Sequence, residues 1–252
     1  MDGSDHSKTG GLFLVATPIG NLEDITLRAL RVLREADVIY AEDTRRTRIL
    51  LDKFEISKHL ESYHIFNEHG RTPELLARVL RGENVVLVSD AGMPCIADPG
   101  FLLVRSAVQE GISPVIVPGV SALTFSVAAS ALPSDSFTFY GFLPVKSGRR
   151  NAALQRIAEE GRTSVIFESP FRIEKLLGEI LRTMGPETDV AVVREATKIH
   201  EEILRGTVSD VLERTAGRSW KGEIVLVVHP SGKSGAGDSG REGSLPDPEE
   251  ME

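Results

Sequence analysis

The chain has 252 residues, of which 41% are hydrophobic, and this is enough to build one large core or two modest ones. No apolar run approaches the roughly 20 residues that cross a bilayer, and the single cysteine, Cys95, excludes an internal disulfide, so the sequence predicts a cytoplasmic protein. A formal net charge of −8 argues against a protein that is held to nucleic acid by bulk positive charge.

Both ends of the chain are predicted to be disordered. Residues 1–11 are polar and lack the apolar segment of a secretion signal. Residues 231–252 carry two basic and six acidic groups, a net of −4, with five glycines and almost no large apolar residues. Because this tail holds half of the net charge, the rest of the chain is only mildly acidic and has room for local basic patches.

Strand and helix patterns alternate through the first half of the chain. Short apolar runs predict strands, and apolar residues at helical spacing predict helices, the first with Asp24 as its N-cap. The predicted strands are 12–16, 38–41, 60–63, 85–88 and 115–117, and the predicted helices are 26–36, 46–54, 73–81, 102–110 and 121–131. This alternation predicts a mostly parallel, Rossmann-like sheet with helices on its faces.

The second half of the chain predicts a second α/β domain with a mixed sheet. After a strand at 137–140, residues 144–150 are basic and lack apolar periodicity, which indicates a linker. The domains are therefore predicted at 12–143 and 144–230, with a cleft between them as the place for an active site. The remaining predicted strands are 164–167, 190–194, 202–204 and 224–228, and the helices are 152–160, 172–184 and 208–214.

Two buried strands of the first domain end in turns that are suited to ligand binding. The run Val85–Val88 breaks into Ser89-Asp90-Ala91-Gly92-Met93-Pro94, and residues 115–117 break into Pro118-Gly119-Val120-Ser121-Ala122. Ligands bind at the carboxyl ends of the strands in open α/β sheets, and tight turns expose backbone groups there. The pattern predicts a site for a small, nucleoside-like molecule.

Other familiar sites are absent from the sequence. The first turn, Thr17-Pro18-Ile19-Gly20-Asn21, has one glycine where a dinucleotide fingerprint needs three, and Gly232-Lys233-Ser234 lacks the rest of a P-loop. The six histidines have no metal-ligand spacing, so no metal is expected. Ser121 lacks the G-x-S-x-G elbow of a hydrolase.

Two polar segments have two interpretations each. Glu42-Asp43-Thr44-Arg45 ends a strand, where carboxylates can reach a ligand, but Asp43 or Thr44 can equally cap the following helix. Lys198 ends a strand of the second domain and either faces the cleft or is solvated.

Taken together, these segments resemble the tetrapyrrole-methylase-like (class III) S-adenosylmethionine methyltransferases. They most resemble the branch that 2′-O-methylates a cytidine in the decoding region of small-subunit (16S) ribosomal RNA. Ser89-Asp90-Ala91 stands where porphyrin branches usually have Gly-Asp-Pro, which favours the RNA branch. The residues that carry the resemblance are 16–24, 26, 41–45, 87–100, 118–119, 132–135, 141–144, 146, 168–169, 172, 194–195, 197–198 and 221–223.

The resemblance implies S-adenosylmethionine as methyl donor, bound between the domains, with ribosomal RNA or the 30S particle as substrate. It further implies a homodimer without a metal. The donor-binding residues that it implies are Ile19, Ser89, Asp90, Met93, Ser121, Ala122, Glu168 and Ala196.

A ribose hydroxyl is a poor nucleophile, so a base or a cation near the developing alkoxide is expected. Lys198 and Lys146 are the candidate cations, and Glu42 or Asp43 is the candidate base. The residues expected to bind RNA phosphates are Arg45, Arg46 and Arg48 together with Lys146, Arg149 and Arg150. A tetrapyrrole methylase and a non-catalytic nucleotide-binding scaffold remain as alternatives.

Overall fold

The computed structural model describes residues 10–230, which form two five-stranded sheets flanked by helices. The tail at 231–252 and nearly all of the predicted leader lie outside the described residues. Gly11 is already the first residue of a strand, so ordered structure begins slightly earlier than predicted. Among residues 10–230, no helix is long and apolar enough to cross a membrane.

The first sheet is entirely parallel, as the sequence predicts, with strand order β3-β2-β4-β1-β5. Its strands are β1 (Gly11–Val15), β2 (Val38–Ala41), β3 (Leu60–Ser62), β4 (Asn84–Val88) and β5 (Val115–Val117). Its helices are α1 (Leu27–Glu35), α2 (Thr44–Lys53), α3 (Glu68–Leu80) and α4 (Phe101–Gln109).

Helices cover both faces of this sheet, which explains why its strands read as unbroken apolar runs. In β4, Val85 and Leu87 enter the core on one face, and Val86 and Val88 enter the core on the other. The pairing of β4 with β1 in register brings the carboxyl ends of both strands to the same edge.

Helices α1, α2 and α3 begin at residues other than those that the sequence pattern predicts, and capping side chains set the starts of α1 and α2. The Thr26 hydroxyl accepts the Ala29 N–H at 3.0 Å and caps α1, whereas Asp24 lies in a 3-10 turn, so the prediction of Asp24 as the cap was wrong. Helix α2 begins at Thr44 because the Asp43 carboxylate accepts the Arg45 N–H. Helix α3 begins at Glu68 and contains Pro73, which the sequence pattern placed at its start.

The second sheet is mixed, as predicted, with strand order β6-β7-β10-β8-β9. Only β6 and β7 pair in parallel. Its strands are β6 (Phe137–Phe142), β7 (Thr163–Glu168), β8 (Asp189–Arg194), β9 (Glu202–Thr207) and β10 (Ile224–His229). The helices of this half are α5 (Ala122–Ser130), α6 (Ser147–Glu160), α7 (Ile173–Met184) and α8 (Val208–Arg214).

The division between the sheets falls earlier than the sequence pattern placed it. Strand β6 was assigned to the first domain, but it pairs with β7. Helix α5 also belongs with the second sheet, because Val127 packs against Val165 and Val225. The chain therefore leaves the first sheet at the end of β5, and residue 144 is not the boundary.

Residues 147–150 are helical and do not form a linker, and this changes the role of Arg150. Its guanidinium is buried and binds the Glu179 carboxylate of α7 through Nε at 2.5 Å and Nη2 at 2.6 Å. It also donates to the Val145 carbonyl at 2.8 Å. Arg150 therefore joins two helices inside the second domain, and its predicted contact with RNA was wrong.

Because a buried ion pair that loses one partner leaves an uncompensated charge, Arg150→Ala should lower the free energy of unfolding by about 3 kcal/mol. The neighbouring Arg149 is exposed, so Arg149→Ala should leave stability almost unchanged. Urea unfolding of both variants measures the difference. Equal stabilities would show that the Arg150–Glu179 pair does not hold α6 against α7.

Candidate active site

A cavity of about 340 Å³ lies between the two sheets, at the carboxyl ends of the first sheet's strands. Six of the eight residues that the resemblance assigned to the methyl donor line it, namely Ile19, Met93, Ser121, Ala122, Glu168 and Ala196. The fold thus brings together residues that are almost 180 positions apart in the chain.

The other two assigned residues, Ser89 and Asp90, shape the loop instead of lining the cavity. The buried Ser89 hydroxyl donates to the Gly92 carbonyl at 3.1 Å. The Asp90 carboxylate accepts the Asp43 N–H at 2.8 Å and lies 3.5 Å from the Arg46 guanidinium. These contacts orient the loop after β4 towards α2.

The turns after β1 and β4 are joined by paired backbone hydrogen bonds. Thr17 N–H donates to the Gly92 carbonyl at 2.9 Å, and Gly92 N–H donates to the Thr17 carbonyl at 3.0 Å. The Thr17 hydroxyl adds a bond to the Ser89 carbonyl at 3.2 Å. Gly92 has a φ of +80°, which glycine adopts without the strain of a Cβ.

The first turn also contacts the second domain. The Asn21 N–H donates to the Thr197 hydroxyl at 3.1 Å. A Cβ on Gly20 would lie 2.4 Å from Cγ of Lys198, so only glycine permits this approach. Residues 17–21 are therefore in contact with both loops that border the cavity.

Lys198 is held in an ion-pair network at this contact. Its ammonium lies 2.9 Å from the Glu195 carboxylate and 3.0 Å from that of Glu223, which lines the cavity. Burial alone would lower the pKa of Lys198, but the hydrogen bonds to Glu195 and Glu223 outweigh it and the pKa is raised. Lys198 thus stays protonated, and it borders the cavity without lining it.

Four non-glycine residues with left-handed backbone lie in the two loops that border the cavity. Cys95 and Ala97 have φ of 74° and 64° in the loop after β4, and Glu195 and Thr197 have φ of 52° and 66° in the loop after β8. This conformation is strained for such residues and concentrates at functional sites. It supports assignment of the cavity as the active site.

Asp98 lines the cavity and was not among the predicted site residues. Burial and the nearby Glu42 carboxylate raise the pKa of Asp98 to about 7. Burial and Asp90 likewise raise the pKa of Glu42. The sequence shows Asp98 only as part of the turn Asp98-Pro99-Gly100, since its approach to Glu42 depends on the parallel pairing of β2 with β4.

The structure separates the remaining predicted catalytic residues from the cavity. The Asp43 carboxylate caps α2, and hydrogen bonds from the Arg45 side chain lower the pKa of Asp43 to about 2. Lys146 is the exposed residue that precedes α6. Among the described residues, Lys146, Glu42 and Asp43 are absent from the cavity lining.

Two of the arginines predicted to bind RNA on α2, Arg45 and Arg46, are exposed, with side-chain exposures of 88% and 62%. Arg48 is partly buried and donates to the Lys58 carbonyl at 3.2 Å. Across residues 10–230, no three His, Cys, Asp or Glu side chains are grouped to hold a metal ion.

The second-domain wall of the cavity contains apolar residues that sequence patterns did not identify. Phe142 and Phe167 form an edge-to-face pair with ring centroids 5.8 Å apart. Beside them, the Glu168 carboxylate is buried and bound by Arg172 at 2.6 Å. These residues meet because β6, β7 and β10 are neighbours in the sheet, and such long-range pairing is not visible in one sequence.

Residues 11–212 match the family described as Tetrapyrrole (Corrin/Porphyrin) Methylases. The chain is 48% identical over 224 residues to Ribosomal RNA small subunit methyltransferase I of Thermotoga maritima, an alignment that covers 89% of this chain and 99% of that protein. It is 45% identical to the protein of the same name from Halalkalibacterium halodurans, with 89% and 77% covered. Uroporphyrin-III C-methyltransferase from Thermus thermophilus, solved with S-adenosylhomocysteine, matches 87% of this chain and 97% of that chain with a TM-score of 0.62 and 22% identity. At that identity the similarity shows the fold alone.

Proposed function

The chain belongs to the tetrapyrrole (corrin/porphyrin) methylase family, and we propose that it transfers the methyl group of S-adenosylmethionine to the 2′-hydroxyl of a cytidine in the decoding region of small-subunit ribosomal RNA. The observation that carries this proposal is the interdomain cavity, where six residues assigned to the methyl donor meet. Identities of 45–48% with ribosomal RNA methyltransferases, against 22% with the uroporphyrin enzyme, favour RNA over a tetrapyrrole. The intact cavity favours an enzyme over a scaffold.

The cavity residues fit S-adenosylmethionine. A volume of about 340 Å³ lies in the range of small-molecule sites. Apolar side chains such as Ile19, Met93 and Phe167 suit an adenine ring, while carboxyl groups including Asp98 suit the positively charged sulfonium and ammonium groups. When bound there, the donor supplies an activated methyl group on a sulfonium.

The chain's own contribution is to hold the acceptor hydroxyl in line with the methyl group and to exclude water. Lys198 stays protonated in its network. Since it borders the cavity without lining it, its action as the cation near the hydroxyl oxygen stays a proposal. The low pKa of Asp43 makes it a weak base, and its capping of α2 accounts for its position.

We further propose that the enzyme works in the cytoplasm as a homodimer, in line with the RNA substrate and the family resemblance. The apolar residues of helix α5 pack against the second sheet of their own chain, so they need no dimer partner to account for them. Sedimentation equilibrium at micromolar concentration should give about twice the chain mass of 27.4 kDa. A mass of one chain would exclude the dimer.

Unmodified 30S particles should accept a labelled methyl group from S-adenosylmethionine in the presence of this protein. The label should map to one cytidine that resists alkaline cleavage, because a 2′-O-methyl group removes the attacking hydroxyl. Free 16S RNA and a porphyrinoid tested in parallel identify the substrate. Labelling of the porphyrinoid alone would overturn the proposed function.

Ala122→Trp tests whether the cavity is the donor site, since the larger side chain fills the cavity from the first turn of α5. It should lower the affinity for S-adenosylmethionine more than tenfold by calorimetry and abolish methylation. Ala152→Trp places the same side chain on an exposed position of α6 and should change neither.

The RNA-binding surface should depend on exposed arginines outside the cavity. Arg45→Glu with Arg149→Glu should reduce methylation of 30S particles more than tenfold and weaken the salt dependence of RNA binding, with affinity for S-adenosylmethionine unchanged. The control Arg105→Glu with Arg156→Glu alters two exposed arginines of α4 and α6 outside the predicted clusters. Equal losses in both double variants would indicate only a general charge effect.

A further inference from the structure

Three strands of the second sheet end at the edge that borders the cavity. Strands β6 and β7 run parallel, and β7 and β8 also share a direction because each is antiparallel to β10. The last residues of β7 and β8 are level, since Glu168 and Arg194 both lie opposite Ile224. Phe142, the last residue of β6, lies beside Phe167. The loops after β6, β7 and β8 therefore start side by side.

Each of these loops carries one apolar side chain that the chain itself leaves uncovered. Val145, Phe171 and Ile199 follow the ends of β6, β7 and β8 by three, three and five residues, and their exposures are 73%, 93% and 97%. Single exposed apolar residues are ordinary on protein surfaces. These three are not scattered, because their loops follow aligned strand ends beside one cavity. We call them the apolar rim.

The apolar rim borders the cavity without lining it. Ser169 and Pro170, which precede Phe171, line the cavity, and so does Ala196, three residues before Ile199. At about 4.8 Å between neighbouring strands, the three intervals from β6 to β8 span about 14 Å. Stacked bases are about 3.4 Å apart along a strand. The apolar rim is therefore wide enough for several nucleotides, outside the space assigned to the methyl donor.

Hydrogen bonds hold the loop of Phe171 in one shape. The buried Glu168 carboxylate accepts the Ser169 N–H at 2.6 Å and the Arg172 Nε–H at 2.8 Å. The Ser169 hydroxyl accepts the Phe171 N–H at 3.3 Å, and the Ser169 carbonyl accepts the Arg172 N–H at 2.9 Å. Phe171 thus extends from a fixed backbone, so little backbone freedom is lost when a partner packs on its ring.

The loop of Ile199 is held in the same way. The Thr197 N–H donates to the Glu201 carboxylate at 2.7 Å, and Arg194 donates to the His200 carbonyl at 2.9 Å. Ile199 therefore stays exposed while the residues around it are bonded. Both loops are ordered before any partner binds.

We propose that the apolar rim binds unpaired nucleotides next to the methylated cytidine, with the Phe171 ring stacked on one base. The inference rests on the proposed function, since it takes the acceptor to be part of an RNA chain. A 2′-hydroxyl reaches the cavity only if its nucleotide leaves the base stack, and the nucleotides linked to it then cross the cavity mouth. Aromatic side chains are a common contact to such unpaired bases, because every base has a face on which a ring can stack.

The surroundings of the apolar rim favour RNA over a second copy of the chain. Lys146 follows Val145 and is exposed, as is Arg149, so cations for phosphates adjoin the apolar contacts. A phenylalanine buries about 150–250 Å², and the other two side chains are smaller. The three together fall short of the roughly 800 Å² that each partner buries in a standard protein interface.

Phe171→Ala removes the stacking surface and should weaken binding to 30S particles at least about fivefold. The KM for 30S particles should rise by a similar factor, while calorimetry shows unchanged affinity for S-adenosylmethionine and the melting temperature stays the same. Phe137→Ala is the matched control, because it removes a phenylalanine at the start of β6, on the opposite edge of the sheet. It should leave the affinity for 30S particles unchanged.

Two further substitutions at this position separate stacking from general apolar contact. Phe171→Trp keeps an aromatic face and should bind 30S particles within about threefold of the wild type. Phe171→Leu keeps an apolar side chain without that face and should resemble Phe171→Ala. Wild-type affinity in Phe171→Leu would overturn the stacking.

Ile199→Ser tests the rest of the apolar rim and should weaken binding to 30S particles at least about threefold. Leu80→Ser is its control, because Leu80 is an exposed residue at the end of α3, which precedes the amino end of β4 and lies away from the cavity. Equal effects of the two variants would indicate that exposed apolar residues in general, and not the apolar rim, contribute to binding.

Crosslinking identifies the occupant of the apolar rim directly. Photoreactive benzoylphenylalanine in place of Phe171 should crosslink to 16S RNA within a few nucleotides of the methylated cytidine, and the same amino acid in place of Leu80 should not. Crosslinks to a second copy of the chain would make the apolar rim a subunit interface and overturn the inference. Methylated 30S particles without any crosslink to RNA would overturn it as well.

The outcomes distinguish this inference from the proposed function. Methylation of 30S particles by the wild type, with unchanged 30S affinity in Phe171→Ala, would overturn the inference and leave the proposed function intact. A wild type that methylates a porphyrinoid and not 30S particles would overturn both.

Discussion

The paired backbone of Thr17 and Gly92 is the contact on which the rest of the active site depends. Strands β1 and β4 end side by side, and two hydrogen bonds keep their following turns together beyond the sheet. One turn then continues through Gly20 to the loop that carries Lys198 in the second domain. The other continues through the strained residues before Asp98. The position of the cavity walls therefore follows from main-chain geometry, which side-chain substitutions alter less readily than side-chain contacts.

Much of the first domain could be predicted from the sequence, because parallel strands buried on both faces give uninterrupted apolar runs. Strand β2 has the bounds that the pattern predicts, and the turn at 89–94 lies where a ligand site was expected. The second domain was harder to divide, since nothing in Phe137–Phe142 indicates which sheet it joins. Strand β6 joins the second sheet because it pairs with β7. Phe137 lies opposite Thr163, which is 26 residues further along the chain.

Side-chain roles were least predictable where a charged residue pairs with one that is far away in the sequence. Arg150 reads as one of a basic cluster, yet its partner Glu179 lies on another helix and draws it into the core. In the sequence Asp98 is a turn residue, and its raised pKa depends on burial and on the approach of Glu42, which only the folded chain brings about. A single sequence gives the residue types, but it does not show which Arg and Lys side chains pair with groups of the chain itself.

The pairing of arginine side chains within the chain affects how an acidic protein binds RNA. Arg48, Arg150 and Arg172 are each engaged by backbone or carboxylate oxygens of the chain itself. These three side chains are therefore not available to hold phosphates. A dimer would present the remaining exposed arginines twice on one rigid body, so that two weak patches act on the same RNA.

Helix α5 makes the folding of each half of the protein depend on the other half. It follows directly from the last strand of the first sheet, but its apolar side chains cover the second. A fragment that ends near residue 143 would carry this helix and β6 without the rest of the second sheet, which buries them. A fragment that begins near residue 144 would expose the face of the second sheet that α5 covers. The halves cannot be exchanged between relatives as independent modules at that point, and a recombination site is better placed between β5 and α5.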